Sequence, residues 1–151
     1  MKNWNVLRRL GRLALFGVLS LGSVIAYGQE KPYTEGSVWI ITMIRVKPGM
    51  LDVYLNDVLP LRKKINEEAK RQGLILSDHI FSGSASRRDD FDVMFLTEYK
   101  NFAVFDGISA KFDAIESKII GAEDRQVQLM MKRAEVREIL GEKTMQELLV
   151  K

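Results

Sequence analysis

Residues 37–46, SVWIITMIRV, decide the fold class of this 151-residue chain. They are mostly β-branched, aromatic or otherwise apolar, a composition that predicts a β-strand. The strand ends at Lys47-Pro48-Gly49, because proline and glycine interrupt regular structure. Successive side chains of a strand point to opposite faces, and both faces here carry large apolar groups: Trp39, Ile41 and Met43 on one, and Val38, Ile40, Ile44 and Val46 on the other. A sheet built on this strand therefore needs cover on both sides.

A long amphipathic helix and two further strands follow. Residues 50–72 predict the helix, with Pro60 expected to kink it and Gly73 to end it in a left-handed conformation. The inward stripe contains one charged member, Arg62, among apolar neighbours: Leu51, Leu55, Val58, Ile65 and Ala69. Residues 74–81 and 91–99 predict two strands joined by a polar turn, 82–90, which favours an antiparallel hairpin.

The C-terminal third predicts two more helices and a closing strand. Asn101 is predicted to cap the second helix through its side chain, and the apolar stripe of this helix comprises Phe105, Ile108, Phe112, Ile115 and Ile119. Residues 123–140 predict a third helix, ended by Gly141, with these side chains directed inward: Val127, Met130, Met131 and Ala134. Residues 144–150 fit a fourth strand or a terminal helical turn, and the strand is favoured.

The order of these elements is β-α-β-β-α-(α)-β. It predicts an α+β domain of the ferredoxin-like βαββαβ type with an extra C-terminal helix and an antiparallel four-stranded sheet. Helices cover one face of such a sheet, whereas the other face normally alternates polar and apolar residues toward water. The strands here alternate poorly, and an apolar face of that size is typical of an association surface. We therefore expect a homodimer packed sheet against sheet.

The N-terminus has the order of a secretory signal peptide. Four basic residues (Lys2, Arg8, Arg9 and Arg12) precede the apolar run Leu13–Ile25, and a small-x-small site, Ala26-Tyr27-Gly28, follows. The apolar run has 13 residues, too few for a membrane span of about 20. The predicted division is a signal peptide at 1–28, a polar leader at 29–36 and a single domain at 37–151, located in the periplasm or secreted, with no membrane attachment after cleavage.

Charge and cysteine content exclude several classes of protein. The chain has 23 Lys and Arg against 20 Asp and Glu. Four of the bases and none of the acids lie in 1–28, so the mature part is close to neutral, which disfavours nucleic-acid binding. The absence of cysteine excludes disulfides and thiolate metal sites. No sequence motif predicts a metal or cofactor site.

Four local motifs carry a resemblance to a known superfamily. They are Val46-Lys47-Pro48-Gly49 after the first strand, Gly73-Leu74, Asp90-Phe91-Asp92-Val93, and Glu98-Tyr99-Lys100-Asn101-Phe102 before the second helix. With the element order, they make residues 37–151 similar to the dimeric α+β barrels, and within these to the NIPSNAP-like branch and related small exported bacterial domains. The superfamily includes cofactor-free monooxygenases, haem-degrading and haem-peroxidase-like enzymes, and members of unknown function, so the resemblance implies a fold without fixing an activity.

His79 is the only histidine and the first candidate catalytic residue. A neutral imidazole can act as a general base or as an axial haem ligand. In haem-binding members of the superfamily the ligand typically comes from the second-helix region, and residues 102–119 contain no histidine, which disfavours haem. A single histidine cannot form a zinc site without carboxylates. Asp78 is predicted on the opposite face of the strand, so the two residues do not form a dyad.

Four polar-tipped residues are the other candidates. Tyr54 is a second candidate proton carrier, and Trp39, Arg45 and Tyr99 are candidate ligand-binding residues, because this fold places a pocket between helices and sheet. The leading hypothesis is an exported homodimer whose helix–sheet cavity binds a small, largely apolar molecule. A small cofactor-independent monooxygenase-like enzyme and an interaction module without ligand are the alternatives. An enzyme requires His79 or Tyr54 in a closed pocket, whereas a module requires that space to be filled by side chains.

Overall fold

The computed structural model describes residues 30–87 and 89–151. The predicted signal peptide, 1–28, lies outside the described residues. The elements are, in chain order, β1 (Tyr33–Val46), α1 (Leu51–Arg71), β2 (Ser77–Ser82), β3 (Val93–Tyr99), a 3₁₀ turn (Phe102–Phe105), α2 (Ile108–Ile119), α3 (Glu123–Val136) and β4 (Arg137–Val150). Within this part of the chain, no helix is long and apolar enough to cross a membrane.

The sheet has the strand order β2-β3-β1-β4, and every neighbouring pair is antiparallel. This order and direction are those of the ferredoxin-like fold, which confirms the predicted fold class. The fourth strand is confirmed as a strand. It begins at residue 137 rather than 144, and it pairs with β1 from Tyr33 opposite Val150 to Val46 opposite Arg137.

The length of β1 explains where α3 ends. Residues 137–140 were expected to continue the helix, but they pair with the end of β1 instead, and Ile139 lies opposite Ile44. Backbone hydrogen bonds to a neighbouring strand outweigh a weak local helix preference. Gly141 therefore lies within β4, opposite Met43, and does not end a helix.

The start of β1 differs from the prediction in the same way. The strand begins at Tyr33, so residues 33–36 of the predicted polar leader belong to the sheet. They pair with the end of β4, where Glu35 lies opposite Leu148. Both strands of the hairpin begin later than predicted: β2 begins at Ser77, after Leu74 and Ile75, which are buried in the core, and β3 begins at Val93.

Two apolar clusters fill the space between the helices and the sheet. One contains Val38, Tyr99 and Ile115, against which Phe105, Ile108, Phe112 and Ile119 pack, so the predicted stripe of the second helix is confirmed. The other contains Ile44, Tyr54, Val58, Val93 and Phe95. The two sets of alternating β1 side chains lie on opposite faces of the sheet, as predicted. Val38, Ile44 and Val46 are buried under the helices.

The second and third helices differ from the predictions at specific residues. Asn101 makes no capping hydrogen bond through its side chain, and a 3₁₀ turn followed by left-handed Gly107 precedes α2. The side chains predicted to face inward from α3 are exposed, among them Met130 and Met131 at 65% each. This short helix instead contacts the core through Val136, while Arg133 forms an ion pair with Asp57 of α1.

Candidate functional site

A cavity of about 310 Å³ lies between the helices and the covered face of the sheet. Its apolar wall comes from Ile44, Val58, Leu61, Ile65, Phe95, Phe112 and Ile139. Its polar wall comes from Thr42, Tyr54, Arg62, Asn66, Thr97, Tyr99, Glu116, Arg133 and Arg137. The volume is at the lower end of the range for small-molecule sites, and three arginines among the lining residues make the cavity far more polar than an ordinary core void.

Tyr54 and Tyr99 are the two predicted site residues on this cavity. Tyr54 is 1% exposed, and burial raises the pKa of its hydroxyl although Arg137, Arg133 and Arg62 act in the opposite direction. Burial likewise raises the pKa of Tyr99, whose ring packs at 4.9 Å from that of Phe105. Because both phenols stay protonated at neutral pH, they can donate hydrogen bonds to a molecule in the cavity.

Arg62 is held in place by a compact polar network. Its Nε donates to Asp78 Oδ2 at 3.2 Å, its Nη2 contacts Asp78 Oδ1, and Nη2 also donates to Thr97 Oγ1 at 3.1 Å. The guanidinium carbon lies 4.1 Å from the centre of the Phe95 ring. The positive charge is therefore compensated by a carboxylate and supported by an aromatic face.

Arg133 is compensated in a similar way from the other side. Its Nε donates to Asp57 Oδ2 at 3.2 Å, and Lys132 Nζ donates to Oδ1 at 3.1 Å. Desolvation alone would raise the pKa of Asp57, but the two cations outweigh it and the pKa is lowered. Asp57 therefore stays ionised and holds α3 against α1.

Glu116 supplies the only carboxylate that lines the cavity among the described residues. Burial raises the pKa of this carboxyl group, and the neighbouring charge of Asp113 raises it further, while Arg133 opposes the shift. A carboxyl group that is costly to ionise can take up or release a proton near a bound molecule.

Arg137 and Asn66 each leave a buried donor without a partner. Nε of Arg137 and Nδ2 of Asn66 are buried, and neither has a hydrogen-bond partner within the described part of the chain. Asn66 is 8% exposed, and the Arg137 guanidinium lies 5.6 Å from the centre of the Tyr54 ring. Most buried donors in folded proteins are satisfied by protein or water, so these two are available to an acceptor atom of water or of a bound molecule.

His79, Trp39 and Arg45 do not line this cavity. His79 and Trp39 lie on the uncovered face of the sheet, where their rings are 6.0 Å apart, and Phe81 follows at 6.5 Å from His79. Arg45 also points to that face, with Nη1 3.6 Å from Glu138 and Nε donating to the Asp90 carbonyl at 3.3 Å. Asp78 lies on the opposite face from His79, as predicted, so these residues form no dyad.

Sequence reasoning missed every polar residue of the cavity except the two tyrosines: Thr42, Arg62, Asn66, Thr97, Glu116, Arg133 and Arg137. Arg62 carried a usable signal, because it was the one charged residue in the apolar stripe of the first helix. Arg137 was assigned to the interior of a helix, so its position at the start of β4 was not foreseen. Among the described residues, no group of three or more His, Cys, Asp or Glu side chains could hold a metal ion.

No protein-family model and no curated protein matches the chain. Several solved structures resemble the chain at low sequence identity and with TM-scores below 0.5. A NIPSNAP family protein of unknown function from Agrobacterium tumefaciens is 13% identical, covering 77% of this chain and 90% of that one, with a TM-score of 0.49. HapK from Hahella chejuensis is also 13% identical, with 73% and 91% coverage and a TM-score of 0.48.

A third structure is described as a dimeric ferredoxin-like protein and comes from an uncultured marine organism. It is 17% identical, with 78% and 98% coverage and a TM-score of 0.47. At these identities the comparisons concern the fold alone. The site must therefore be interpreted from the residues of this chain.

Proposed function

We propose that the protein is an exported, homodimeric binding protein whose helix–sheet cavity holds a small molecule. The observation that carries the proposal is the pair of buried, unpartnered donors on Arg137 and Asn66, both on the cavity wall. Each such donor costs about 1–3 kcal/mol when left unsatisfied. A bound molecule with acceptor atoms removes that cost, whereas an interaction module has no need of an open polar cavity.

The chemistry of the lining changes the expected ligand from largely apolar to amphiphilic. One wall is aliphatic and aromatic, and the other carries phenols, amides and arginines.

An enzymatic reaction is less well supported, because His79 lies outside the cavity and the raised pKa of Tyr54 makes its phenol a hydrogen-bond donor rather than a base. Export rests on the sequence of residues 1–28.

The dimer is supported by the uncovered face of the sheet. Trp39, Ile41, Met43, Met94 and Leu96 lie there in the centre, and Phe81 and Met145, more than half exposed, lie at its sides. An apolar surface of this kind is unfavourable in water and is stabilised when a second copy covers it. A second copy of the chain on this face would also bury the neighbouring rings of Trp39, His79 and Phe81.

Native mass spectrometry of the full chain, expressed with its own N-terminus and recovered from the periplasm or medium, tests these elements together. The mass reports cleavage after residue 28, the dimer and any bound molecule. Thr42→Leu, which narrows the cavity, should lose the bound mass, whereas Thr144→Leu, on β4 outside the cavity lining, should retain it. A monomer without any bound mass in all three proteins would contradict the proposal.

The dimer interface has its own test. Phe81→Glu places a charge on the uncovered face at a site that is 54% exposed, and Val53→Glu places the same charge on α1 at 50% exposure. Analytical ultracentrifugation should show a monomer for Phe81→Glu and a dimer for Val53→Glu and the parent protein. Equal sedimentation of both variants as dimers would place the interface elsewhere.

A further inference from the structure

Arg137 is the one arginine on the cavity wall that makes no ion pair among the described residues. Arg62 and Arg133 each contact a carboxylate, that of Asp78 and that of Asp57. Arg137 has no ion pair within residues 30–87 and 89–151, and its guanidinium instead faces the ring of Tyr54 at 5.6 Å. A guanidinium is always charged, and its planar donor edge matches a carboxylate in two parallel hydrogen bonds. A cation without an ion pair on the cavity wall favours an anion.

The second unpartnered donor restricts the ligand further. Asn66 lies on α1 and Arg137 at the start of β4, so a molecule that satisfies both contacts two different elements of the cavity wall. Apolar side chains, among them Val58, Phe95 and Phe112, line the same cavity. The matching molecule has an acidic group, an apolar body and at least one further acceptor atom.

A single net charge fits the site better than two. Glu116 lines the same cavity, so a phosphate dianion would meet a carboxylate as well as Arg137. A carboxylate carries one charge, which Arg137 alone neutralises, and a buried charge is tolerated only when it is paired. Resting on the proposed function, we infer that the cavity binds a small amphiphilic carboxylic acid, with its carboxylate on Arg137 and a second acceptor at Asn66.

Ligand pairs that differ only in charge test this inference on the full protein. Hexanoate and benzoate are compared with hexanamide and benzamide, and with hexyl phosphate and inorganic phosphate, by isothermal titration calorimetry and ligand-observed NMR. The acids should bind at least about 10-fold more tightly than their amides, because a hydrogen bond to a charged group contributes more than a neutral one. Equal binding of acids and amides would overturn the carboxylate inference while leaving the cavity proposal intact.

Two arginine variants separate the site from general electrostatics. Arg137→Gln should weaken acid binding about 10- to 100-fold and amide binding by a smaller factor, because the amide loses a hydrogen bond but no ion pair. Arg45→Gln removes an arginine from the uncovered face and should change neither. Circular dichroism verifies that each variant is folded, and Arg137→Lys, which keeps the charge, should recover part of the affinity.

The remaining outcomes are also decisive. Tighter binding of hexyl phosphate than of hexanoate would overturn the inference in favour of a phosphate ligand. Binding of acids that survives Arg137→Gln but disappears in Thr42→Leu would keep the cavity and exclude Arg137 as the anion site. Absence of binding by acids, amides and phosphates alike at millimolar concentration would count against the cavity proposal itself.

Discussion

Removal of the Asp78 carboxylate should be one of the most destabilising single changes in this protein. The Asp78 side chain is 10% exposed and its partner Arg62 is 21% exposed, so Asp78→Ala leaves a guanidinium in a poorly hydrated position. Breaking a buried ion pair from one side costs about 3–5 kcal/mol. We expect the lower end, about 3 kcal/mol, because Thr97 and the Phe95 ring continue to contact Arg62.

This magnitude converts to a large thermal shift. With an unfolding entropy of about 2.1 cal/mol/K per residue over the domain, 1 kcal/mol corresponds to roughly 4 °C, so Asp78→Ala should lower Tm by about 12 °C. Arg62→Met combined with Asp78→Ala should recover much of the loss, because the unpaired charge is then absent. Urea unfolding of the parent protein, Asp78→Ala, Arg62→Met and the double variant gives the coupling energy. All four are measured at one fixed protein concentration, because dimers unfold in a concentration-dependent manner.

The exposed pair Lys63–Glu67 provides the control. Its side chains are 74% and 64% exposed, and its N–O distance is 3.8 Å. Pairs of this type contribute about 0.2–1 kcal/mol, so Glu67→Ala should lower Tm by less than about 4 °C. A coupling energy for Arg62 and Asp78 no larger than that of this surface pair would refute the reasoning that burial makes the pair important.

Three further predictions concern stability. Glu116→Gln should raise the free energy of unfolding at pH 7 and not at pH 4. The pKa of Glu116 is raised above the ordinary 4.5, so the stability that the protonated carboxyl group contributes at low pH is lost as the pH rises through the folded-state pKa. Equal effects of the substitution in urea unfolding at both pH values would contradict this prediction. Ile115→Ala, at a side chain 2% exposed, should cost about 2–5 kcal/mol in the same assay, against under about 0.5 kcal/mol for Val53→Ala at 50% exposure. Gly73→Ala should cost about 1 kcal/mol because its φ is +70°, although its surroundings are open, while Gly83→Ala, with open surroundings and no positive φ, should be close to neutral; similar losses for the two glycines would assign the effect to something other than backbone conformation.

The fold was predictable because its strands and helices differ in period. The run of β-branched and aromatic residues in β1 and the 3–4 spacing of Phe105, Ile108, Phe112, Ile115 and Ile119 are properties of the sequence itself, and each depends on local geometry. Positions set by distant partners were not predictable. Residues 137–140 join β4 because β1 offers them unpaired backbone groups, and no local pattern indicates that partner.

The candidate site was harder to predict than the fold. The cavity depends on charged side chains that different elements bring together, as α1 and β2 do with Arg62 and Asp78. Tyr54 and Tyr99 were identified because a buried tyrosine hydroxyl usually has a hydrogen-bond partner nearby. His79, Trp39 and Arg45 were chosen for their chemistry, but the pleat of the sheet directs them away from the helices.

The pairing of β1 with β4 has a consequence for how the chain is made. Residues more than 90 positions apart, from Val46 and Arg137 to Tyr33 and Val150, form the longest ladder in the sheet. Non-local pairings of this kind form slowly, and this one is impossible until β4 has left the ribosome. A nascent chain that still lacks β4 cannot complete its sheet, and an incompletely folded chain is the form that the proposed export would require.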